Sequence, residues 1–291
     1  VGWSDLALNT VAVQLDLETG EWTEPVELPF GFKVVTTTPH AWTGSQLLVL
    51  VGDRTMFFDP AVNSWGKHGL APIEPRLDAA SVWTGSEWLV WGGDATEADG
   101  ALGDGAAFDP ATDTWRMLSA SPLSPRLAGG VWTGTELVVF GGTPGTGMSF
   151  GNDPVDDGAL YNPAADQWRA VPGSGASRQG AQLLWDGAEV LVLGGYNGSD
   201  ATPPAQAFDP ADLAWRDLPK GSRQHSVTSA IWTGTEAVTF SREAIAAYDI
   251  KPGAPEHPKG EASGYVVTLG GTRVYFAGVT ECVPEVKALK N

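Results

Sequence analysis

Two short phrases alternate along the chain and constrain what it can fold into. The first is a Trp-Thr-Gly turn between apolar residues, as in VWTGTELVVFGG at 131–142. The second is an aromatic residue, an Asp or Asn and usually Pro, with a Trp six positions after the acid, as in FDPATDTW at 108–115. The acid recurs at positions 16, 59, 109, 162, 209 and 249, which lie 43, 50, 53, 47 and 40 residues apart. A period of this length with two turn phrases in each unit predicts repeated four-stranded sheets.

The sequence around each turn is typical of strands. Apolar and β-branched residues alternate or run together in stretches such as 136–140 and 189–193. Glycine in the second turn position supplies the positive φ of a tight hairpin, and no helix of three turns is predicted anywhere. We name the four strands of a unit a (ending at Trp-Thr-Gly), b (ending at Gly-Gly), c (ending at Asp-Pro) and d (carrying the second Trp).

The two ends of the chain carry complementary halves of one unit. Strands c and d open the chain at 11–23, and strands a and b close it at 263–278. We therefore predict an all-β fold, a six-bladed β-propeller in one domain, 1–291, whose ring closes when these halves pair and leave no free sheet edge. The predicted blades between the halves are 33–67, 77–118, 127–170, 179–218 and 225–252, and a tail follows at 279–291.

These phrases resemble the Kelch repeat, in which Gly-Gly follows the second strand, an aromatic residue ends the third and a Trp lies in the fourth. The pairs at 92–93, 141–142 and 194–195 match this pattern, whereas Gly52-Asp53 and Ser241-Arg242 depart from it. The resemblance covers nearly the whole chain and implies a propeller. It says little about activity, because Kelch-like propellers include binding proteins and enzymes.

Composition excludes several classes of partner. The chain has 17 Lys and Arg against 35 Asp and Glu, for a net charge of −18, and such a chain lacks the basic surface that nucleic acids or anionic membranes require. No apolar run reaches the ~18 residues of a membrane helix, so membrane insertion is not expected. The single cysteine, Cys282, cannot form an internal disulfide. From the acidic, lysine-poor composition and the first residue, Val1, we expect a secreted or cell-envelope protein of bacterial origin, acting as a monomer.

Most residues that suggest a site are explained by the repeat. Five of the 13 tryptophans lie in the a–b turn and five in strand d, so we predict that they pack blade against blade. The recurring turn acids are predicted to accept hydrogen bonds from the backbone two residues further on, which is a structural role.

The connections at one edge of the sheets are the better place for a ligand. In a four-stranded meander the a–b and c–d turns lie on one edge, here called the turn face, and the b–c and d–a connections lie on the opposite edge, the loop face. The loop-face connections are long and variable, as at 94–105, 143–158 and 196–206. Variable loops on a rigid scaffold are where function usually resides.

Six of the ten arginines map to loop-face connections, and four of them directly precede strand a. Because strand a is innermost, we predict guanidinium groups at a central mouth, where they would bind carboxylate or sulfate groups. The competing interpretation is that each arginine pairs with a loop carboxylate (Glu74, Asp94, Asp153, Asp156 or Asp157) and pins a loop. The predicted ligand-binding set is Arg54, Arg76, Arg126, Arg178, Arg223 and Arg242, with His225 as the best-placed titratable group.

The leading hypothesis for function is a non-catalytic module that binds a protein or glycan with anionic groups and needs no cofactor. The alternative is an isomerase resembling the Kelch-like mutarotase of acidic sugars, in which His225 with Glu74 or Asp78 would supply the acid and base. A third interpretation makes the chain the propeller of a longer protein.

Metal and redox sites are weakly indicated. The loop with Asp94, Glu97, Asp99 and Asp104 could hold calcium, but it lacks the full spacing of a calcium loop. The four histidines show no short ligand spacing. Copper radical oxidases also use Kelch-like propellers, but no Tyr and His pattern accompanies Cys282 here, so that chemistry is not expected.

Overall fold

The structure is a computed structural model that describes residues 10–16, 18–29, 34, 37–96, 100–144, 153–198, 203–219, 227–247, 262–269 and 272–276. The chain divides into two compact units, Val1–Gly175 and Ala176–Asn291. Both units consist of antiparallel sheets, as predicted. No helix of the described segments is long and apolar enough to cross a bilayer.

Unit one contains three complete four-stranded sheets, which we call repeats 1, 2 and 3, and several short strand pairs. Each repeat follows the predicted order a–b–c–d. The strands are β1 (Val11–Ala12), β2 (Val26–Glu27), β3 (His40–Trp42), β4 (Leu47–Val51), β5 (Arg54–Asp59), β6 (Ser64–Leu70), β7 (Arg76–Leu77), β8 (Ala80–Trp83), β9 (Trp88–Trp91), β10 (Asp94–Ala95), β11 (Gly105–Asp109), β12 (Thr114–Met117), β13 (Arg126–Leu127), β14 (Gly130–Trp132), β15 (Leu137–Phe140), β16 (Thr143–Pro144), β17 (Gly158–Asn162) and β18 (Gln167–Val171). Repeat 1 is β3–β6, repeat 2 is β8, β9, β11 and β12, and repeat 3 is β14, β15, β17 and β18.

Unit two contains repeat 4 and a fifth sheet. Repeat 4 has the same a–b–c–d order as the repeats of unit one. Its strands are β19 (Gln182–Trp185), β20 (Val190–Leu193), β21 (Gln206–Asp209) and β22 (Ala214–Asp217), and the fifth sheet is β23 (Val227–Trp232), β24 (Ala237–Ala247), β25 (Ala262–Leu269) and β26 (Thr272–Phe276).

The core of unit one lies between neighbouring repeats. Strands b and c are largely buried, and in repeat 3 Leu137, Val139 and Tyr161 pack with Leu89 and Trp91 of repeat 2. Tryptophans at both repeated positions border these clusters, as Trp132 and Trp168 do here. The prediction that tryptophans pack between blades is confirmed for these positions.

The turn chemistry also follows the sequence. In repeat 2 the Asp109 carboxylate accepts the Ala111 N–H at 2.8 Å, and Asp59 and Asp209 accept the corresponding N–H two residues on. The turn glycine has φ near 100° in each a–b hairpin, as in Gly134 with φ 98°. The recurring acids therefore form turns, and the sequence prediction of a structural role is confirmed.

The predicted pairing between the two ends of the chain stays a prediction. Strand β1 pairs with β2, and Leu15 forms a bridge with Trp22. In the fifth sheet, β25 pairs with β24 and β26. The sheets resemble propeller blades, but the structure does not show the predicted closure of a ring.

Candidate functional site

The loop face is built from chain segments that cross one another beyond the ends of the sheets. In repeat 2 the segment before strand a pairs with the segment after strand b, as the short ladder β7–β10. Repeat 3 repeats this ladder as β13–β16, and repeat 4 reduces it to one bridge between Gln179 and Tyr196. Each crossing begins at the predicted arginine.

Arg126 shows what the arginine does at the crossing. Its side chain is buried, and Nε donates to the Ser124 carbonyl at 3.0 Å. Nη1 donates to the Gly141 carbonyl at 3.4 Å and to Asp157 Oδ1, while Nη2 donates to Ser124 Oγ at 2.8 Å and to Asp157 Oδ2 at 3.3 Å. One guanidinium thus ties the d–a segment, the end of strand b and the start of strand c together. We call this arrangement the arginine clamp.

Arg76 forms the clamp of repeat 2. Its Nε donates to the Glu74 carbonyl at 2.9 Å, and Nη1 donates to the Gly92 carbonyl at 3.1 Å and to Asp104 Oδ1 at 3.0 Å. Nη2 is buried and has no hydrogen-bond partner. In repeat 3 the Nη2 group of the clamp arginine donates to the Ser124 hydroxyl. In repeat 2 the equivalent residue is the exposed Glu74, so this hydroxyl is missing.

Arg178 forms the clamp of repeat 4 without a direct carboxylate partner. Its Nη1 donates to the Gly194 carbonyl at 3.3 Å, and Nη2 donates to Gln206 Oε1 at 2.7 Å. Gln206 in turn donates to Asp217 Oδ1 at 3.1 Å. Burial lowers the pKa of Arg178 to about 10, although the nearby Asp217 carboxylate opposes this shift. The negative charge nearest to this guanidinium is therefore Asp217, and the Gln206 side chain lies between the two groups.

The crossing of the two segments explains why a Gly-Gly pair follows strand b. Gly142 has φ 96°, and a Cβ on it would lie 2.1 Å from the Leu127 carbonyl oxygen of the crossing segment. Gly93 is in the same position against the Leu77 carbonyl oxygen, at 2.4 Å. Only glycine lets the two backbones approach so closely.

The clamps bury their arginines and leave carboxylates half-exposed at the loop face. Arg76, Arg126 and Arg178 are at most 2% exposed, and each donates hydrogen bonds to protein groups. Their predicted role in binding an anionic ligand stays a prediction. The side chains of Asp104 and Asp157 are 45% and 48% exposed. The outer atoms of the clamps are therefore carboxylate oxygens.

Two other predicted site residues of unit one are exposed on separate segments. Arg54 is exposed on β5 at the loop face, and Glu74 is exposed in the segment before β7. Arg242 lies on β24. Four further predicted residues lie outside the described segments, namely Arg223, His225, Glu97 and Asp99. The proposed pairing of His225 with an acid is thus not tested by the geometry.

Asp78 is the distinctive titratable group of the loop face. It is half-buried, and its backbone has a φ of 52°. The other non-glycine residues with positive φ among the described residues all lie in c–d turns. Burial raises the pKa of Asp78, and the charge of Asp94 adds to this, while a hydrogen bond with Thr37 opposes it. Asp94 also carries a buried Oδ1 with no hydrogen-bond partner. Asparagine and aspartate tolerate this backbone conformation better than other residues, which fits the residue found.

The calcium prediction receives no support from the acids that are described. Asp104 is engaged by Arg76 at 3.0 Å. Within the described segments, no group of three or more His, Cys, Asp or Glu residues is arranged to hold a metal ion.

Sequence reasoning missed the acceptors that hold the clamps in repeats 2 and 4. The sequence predicts Asp104 as a calcium ligand, and no predicted site includes Gln206. A signal was present for Asp104, because Asp-Gly precedes the third strand at both 104–105 and 157–158. Gln206 has no counterpart in the other repeats, so the repeat pattern could not reveal it.

Comparison with known proteins agrees with this architecture. No protein-family model matches the sequence. Among solved structures, the chain is similar to YjhT, a Kelch-repeat propeller, with a TM-score of 0.57 and 17% sequence identity over 72% of this chain and 73% of that one. The chain has a Kelch-like fold. It is also 30% identical over 91 residues to Kelch-like protein 21 of Rattus norvegicus, a match that spans 31% of this chain and 14% of the rat protein.

The Kelch-like resemblance predicted from the repeated phrases is therefore confirmed at the level of the fold. At 17% identity, the likeness to YjhT concerns the fold alone. The function must be argued from the loop face itself.

Proposed function

We propose that this Kelch-like chain is a non-catalytic binding module that engages a protein partner through its loop face. The observation that carries the proposal is the arginine clamp, which buries the positive groups and leaves carboxylates exposed. Rigid strands hold these carboxylates in place, and a rigid scaffold with variable connections is a common basis for binding surfaces.

The exposed charges favour a basic ligand over the anionic one that the sequence predicted. Asp53, Glu74 and Asp153 are exposed on loop-face connections of unit one, and their carboxylates accept no hydrogen bond from the clamp arginines. With the half-exposed Asp104 and Asp157 they give this edge an excess of negative charge. In a chain of net charge −18, such a surface attracts lysine and arginine side chains and accelerates their association.

The test is a calorimetric titration that measures the affinity for a lysine- and arginine-rich peptide of about 15 residues. A triple variant (Asp53→Asn, Glu74→Gln, Asp153→Asn) removes three charges from the loop face and leaves the clamps intact. At about 0.5 kcal/mol for each exposed charge, affinity should fall roughly tenfold.

A matched triple variant (Glu18→Gln, Glu21→Gln, Asp212→Asn) removes the same charge from exposed positions at the turn face. It should change affinity less than twofold, since these charges lie at the turns, on the edge of their sheets opposite to the loop face, and are screened by salt. Equal losses in the two variants would show that the peptide responds to net charge and would refute a loop-face site. Binding of acidic or neutral sugars in place of the peptide would favour the glycan hypothesis.

The isomerase alternative keeps one specific observation in its favour. Asp78 is a half-buried acid with a raised pKa, as a general acid requires. Turnover of an acidic sugar that is lost in Asp78→Asn would favour this alternative over the binding module.

The six-bladed ring is part of the proposal as the scaffold of the loop face. Its support is the repeat count, with turn acids at six positions of the sequence, and the N-terminal strands, which pack on repeat 1 as a preceding blade would. The Trp65 indole donates to the Val26 carbonyl at 3.1 Å, and between repeats 2 and 3 the Trp168 indole donates to the equivalent Ser119 carbonyl at 3.0 Å.

A further inference from the structure

The segment that follows strand b in repeat 4 crosses its partner segment over a shorter distance than in repeat 2. In repeat 2, the second residue after Gly-Gly still belongs to the crossing, because Ala95 pairs with Arg76. In repeat 4 the crossing is a single bridge, in which Gln179 and Tyr196 exchange both backbone hydrogen bonds at 2.9 Å. The residue equivalent to Ala95 is Asn197, which lies beyond this bridge.

The backbone N–H that comes next is held in repeat 2 but not in repeat 4. In repeat 2 the Thr96 N–H donates to the Pro75 carbonyl at 3.0 Å. The equivalent residue of repeat 4 is Gly198, whose N–H donates no hydrogen bond within the described part of the chain. Gly198 is exposed and has φ 85°, and a Cβ on it would meet nothing within 4 Å. Its backbone nitrogen is therefore accessible for a reaction.

An asparagine that precedes a glycine carries the group with which this nitrogen can react. The glycine nitrogen attacks the Cγ atom of the asparagine amide and forms a bond to it. The amide C–N bond breaks, and ammonia leaves with the proton that the attacking nitrogen gives up. Water then opens the resulting five-membered imide to aspartate or isoaspartate. Glycine favours the first step because it has no side chain to hinder the approach and lets the backbone rotate.

We propose that Asn197 is a modification site, at which the folded protein converts asparagine to aspartate or isoaspartate with water as the only co-reactant. Each conversion adds one negative charge to the loop face of repeat 4. In this repeat the clamp arginine, Arg178, donates to Gln206, whereas the clamps of repeats 2 and 3 have a carboxylate at that position. The modification thus makes this edge of repeat 4 acidic, as the two other clamps are from the start. It takes place in the free protein and does not depend on the proposed binding of a partner.

The two other described asparagines each lack a condition for this reaction. Asn63 Oδ1 accepts a hydrogen bond from Gln14 Nε2 at 3.1 Å, and the following Ser64 lies in strand β6. Asn162 is followed by Pro163, whose nitrogen carries no hydrogen that it could give up. Among the described asparagines, the reaction is therefore expected at position 197.

Peptide mapping of aged protein tests the inference. The chain is incubated in a mildly alkaline buffer, in which the attacking nitrogen gives up its proton more readily, once folded and once unfolded in guanidinium chloride. Mass spectrometry measures, at each asparagine, the replacement of one NH group by one oxygen atom, and fragmentation by electron transfer separates aspartate from isoaspartate.

The ratio of the folded to the unfolded rate distinguishes the sites. Because the Gly198 N–H has no hydrogen bond to open, Asn197 should react at rates that agree within about threefold in the two states. Asn63 is the internal control and should react at least about tenfold more slowly in the folded chain, because its hydrogen bonds must open first. A folded rate at Asn197 that is tenfold or more below the unfolded rate would overturn the inference, since the folded loop would then protect this residue.

Two variants assign the reaction to this pair of residues. Asn197→Gln should abolish the acidic form that anion-exchange chromatography separates from the fresh protein. Gly198→Ala keeps the asparagine, and its Cβ would meet no neighbour, but it restricts the backbone and should slow the reaction. An acidic form that accumulates in Asn197→Gln as fast as in the unsubstituted chain would place the reaction elsewhere and contradict the assignment.

Discussion

Replacing Arg126 with methionine should destabilise the protein by about 3 kcal/mol. Arg126→Met keeps the length and much of the apolar volume of the side chain but removes every donor of the clamp. The Gly141 carbonyl, which accepts Nη1 at 3.4 Å in a buried place, and the Ser124 carbonyl at 3.0 Å then lose this donor. An orphaned buried polar group costs about 1–3 kcal/mol, and removing one partner of a buried ion pair costs about 3–5 kcal/mol. Asp157 is half-exposed and can be rehydrated, so the lower end of the second range applies.

Thermal unfolding followed by tryptophan fluorescence measures this loss. For a chain of this size, about 3 kcal/mol corresponds to a fall in Tm of roughly 6–12 °C. Arg54→Met is the control, because Arg54 is exposed and its replacement should stay within about 0.5 kcal/mol. A fall below about 2 °C for Arg126→Met, together with loss of binding to an anionic ligand, would refute the clamp and restore the arginine to a ligand site.

Three further predictions follow from single residues. Gly142→Ala should cost at least 3 kcal/mol because its Cβ would meet the Leu127 carbonyl at 2.1 Å, whereas Gly134→Ala, with a similar φ and nothing within 4 Å, should cost only about 1–2 kcal/mol in urea unfolding. The pKa of Asp166 is lowered, first by its hydrogen bond from Tyr161 and then by the Ser119 N–H. Its contribution to stability is thus present above pH 3.8 and lost as pH falls through the folded-state pKa, so the deficit in Tm of Asp166→Asn at pH 7 should vanish in acid; a deficit that persists unchanged in acid would contradict the assignment. The pKa of Asp78 is raised, so its ionisation opposes folding at neutral pH, and Asp78→Asn should raise Tm at pH 7 with a gain that disappears below about pH 4; a loss of Tm at pH 7 would contradict this.

The fold was predictable because the repeat fixes both turn chemistry and strand register. Asp109 and Gly134 occupy the turns that their residue types favour, and each row of a repeat is set by counting from its tryptophan. The position of the clamps was also predictable, since Arg126 precedes strand a as expected. Its role was not, because burial of a guanidinium depends on where Gly141 and Asp157 lie after the chain has crossed itself.

The ends of the chain show a different limit of sequence reasoning. The N-terminal strands β1 and β2 and the C-terminal strands β25 and β26 carry complementary sequence patterns, and the structure pairs β25 with β24. A strand pattern states which face is apolar but not which of two free edges the strand will choose. The repeat pattern therefore specifies the pairing within blades, whereas the pairing between the chain ends stays a prediction.

The accessibility of individual arginines tests the central claim most directly. Native protein treated with phenylglyoxal, which modifies free guanidinium groups, is digested and analysed by mass spectrometry. The clamps predict rapid modification of Arg54 and protection of Arg76, Arg126 and Arg178 until the protein is unfolded, because the latter three are at most 2% exposed. Modification of these three in the native protein at the rate of Arg54 would contradict a loop face that buries its arginines and presents its carboxylates.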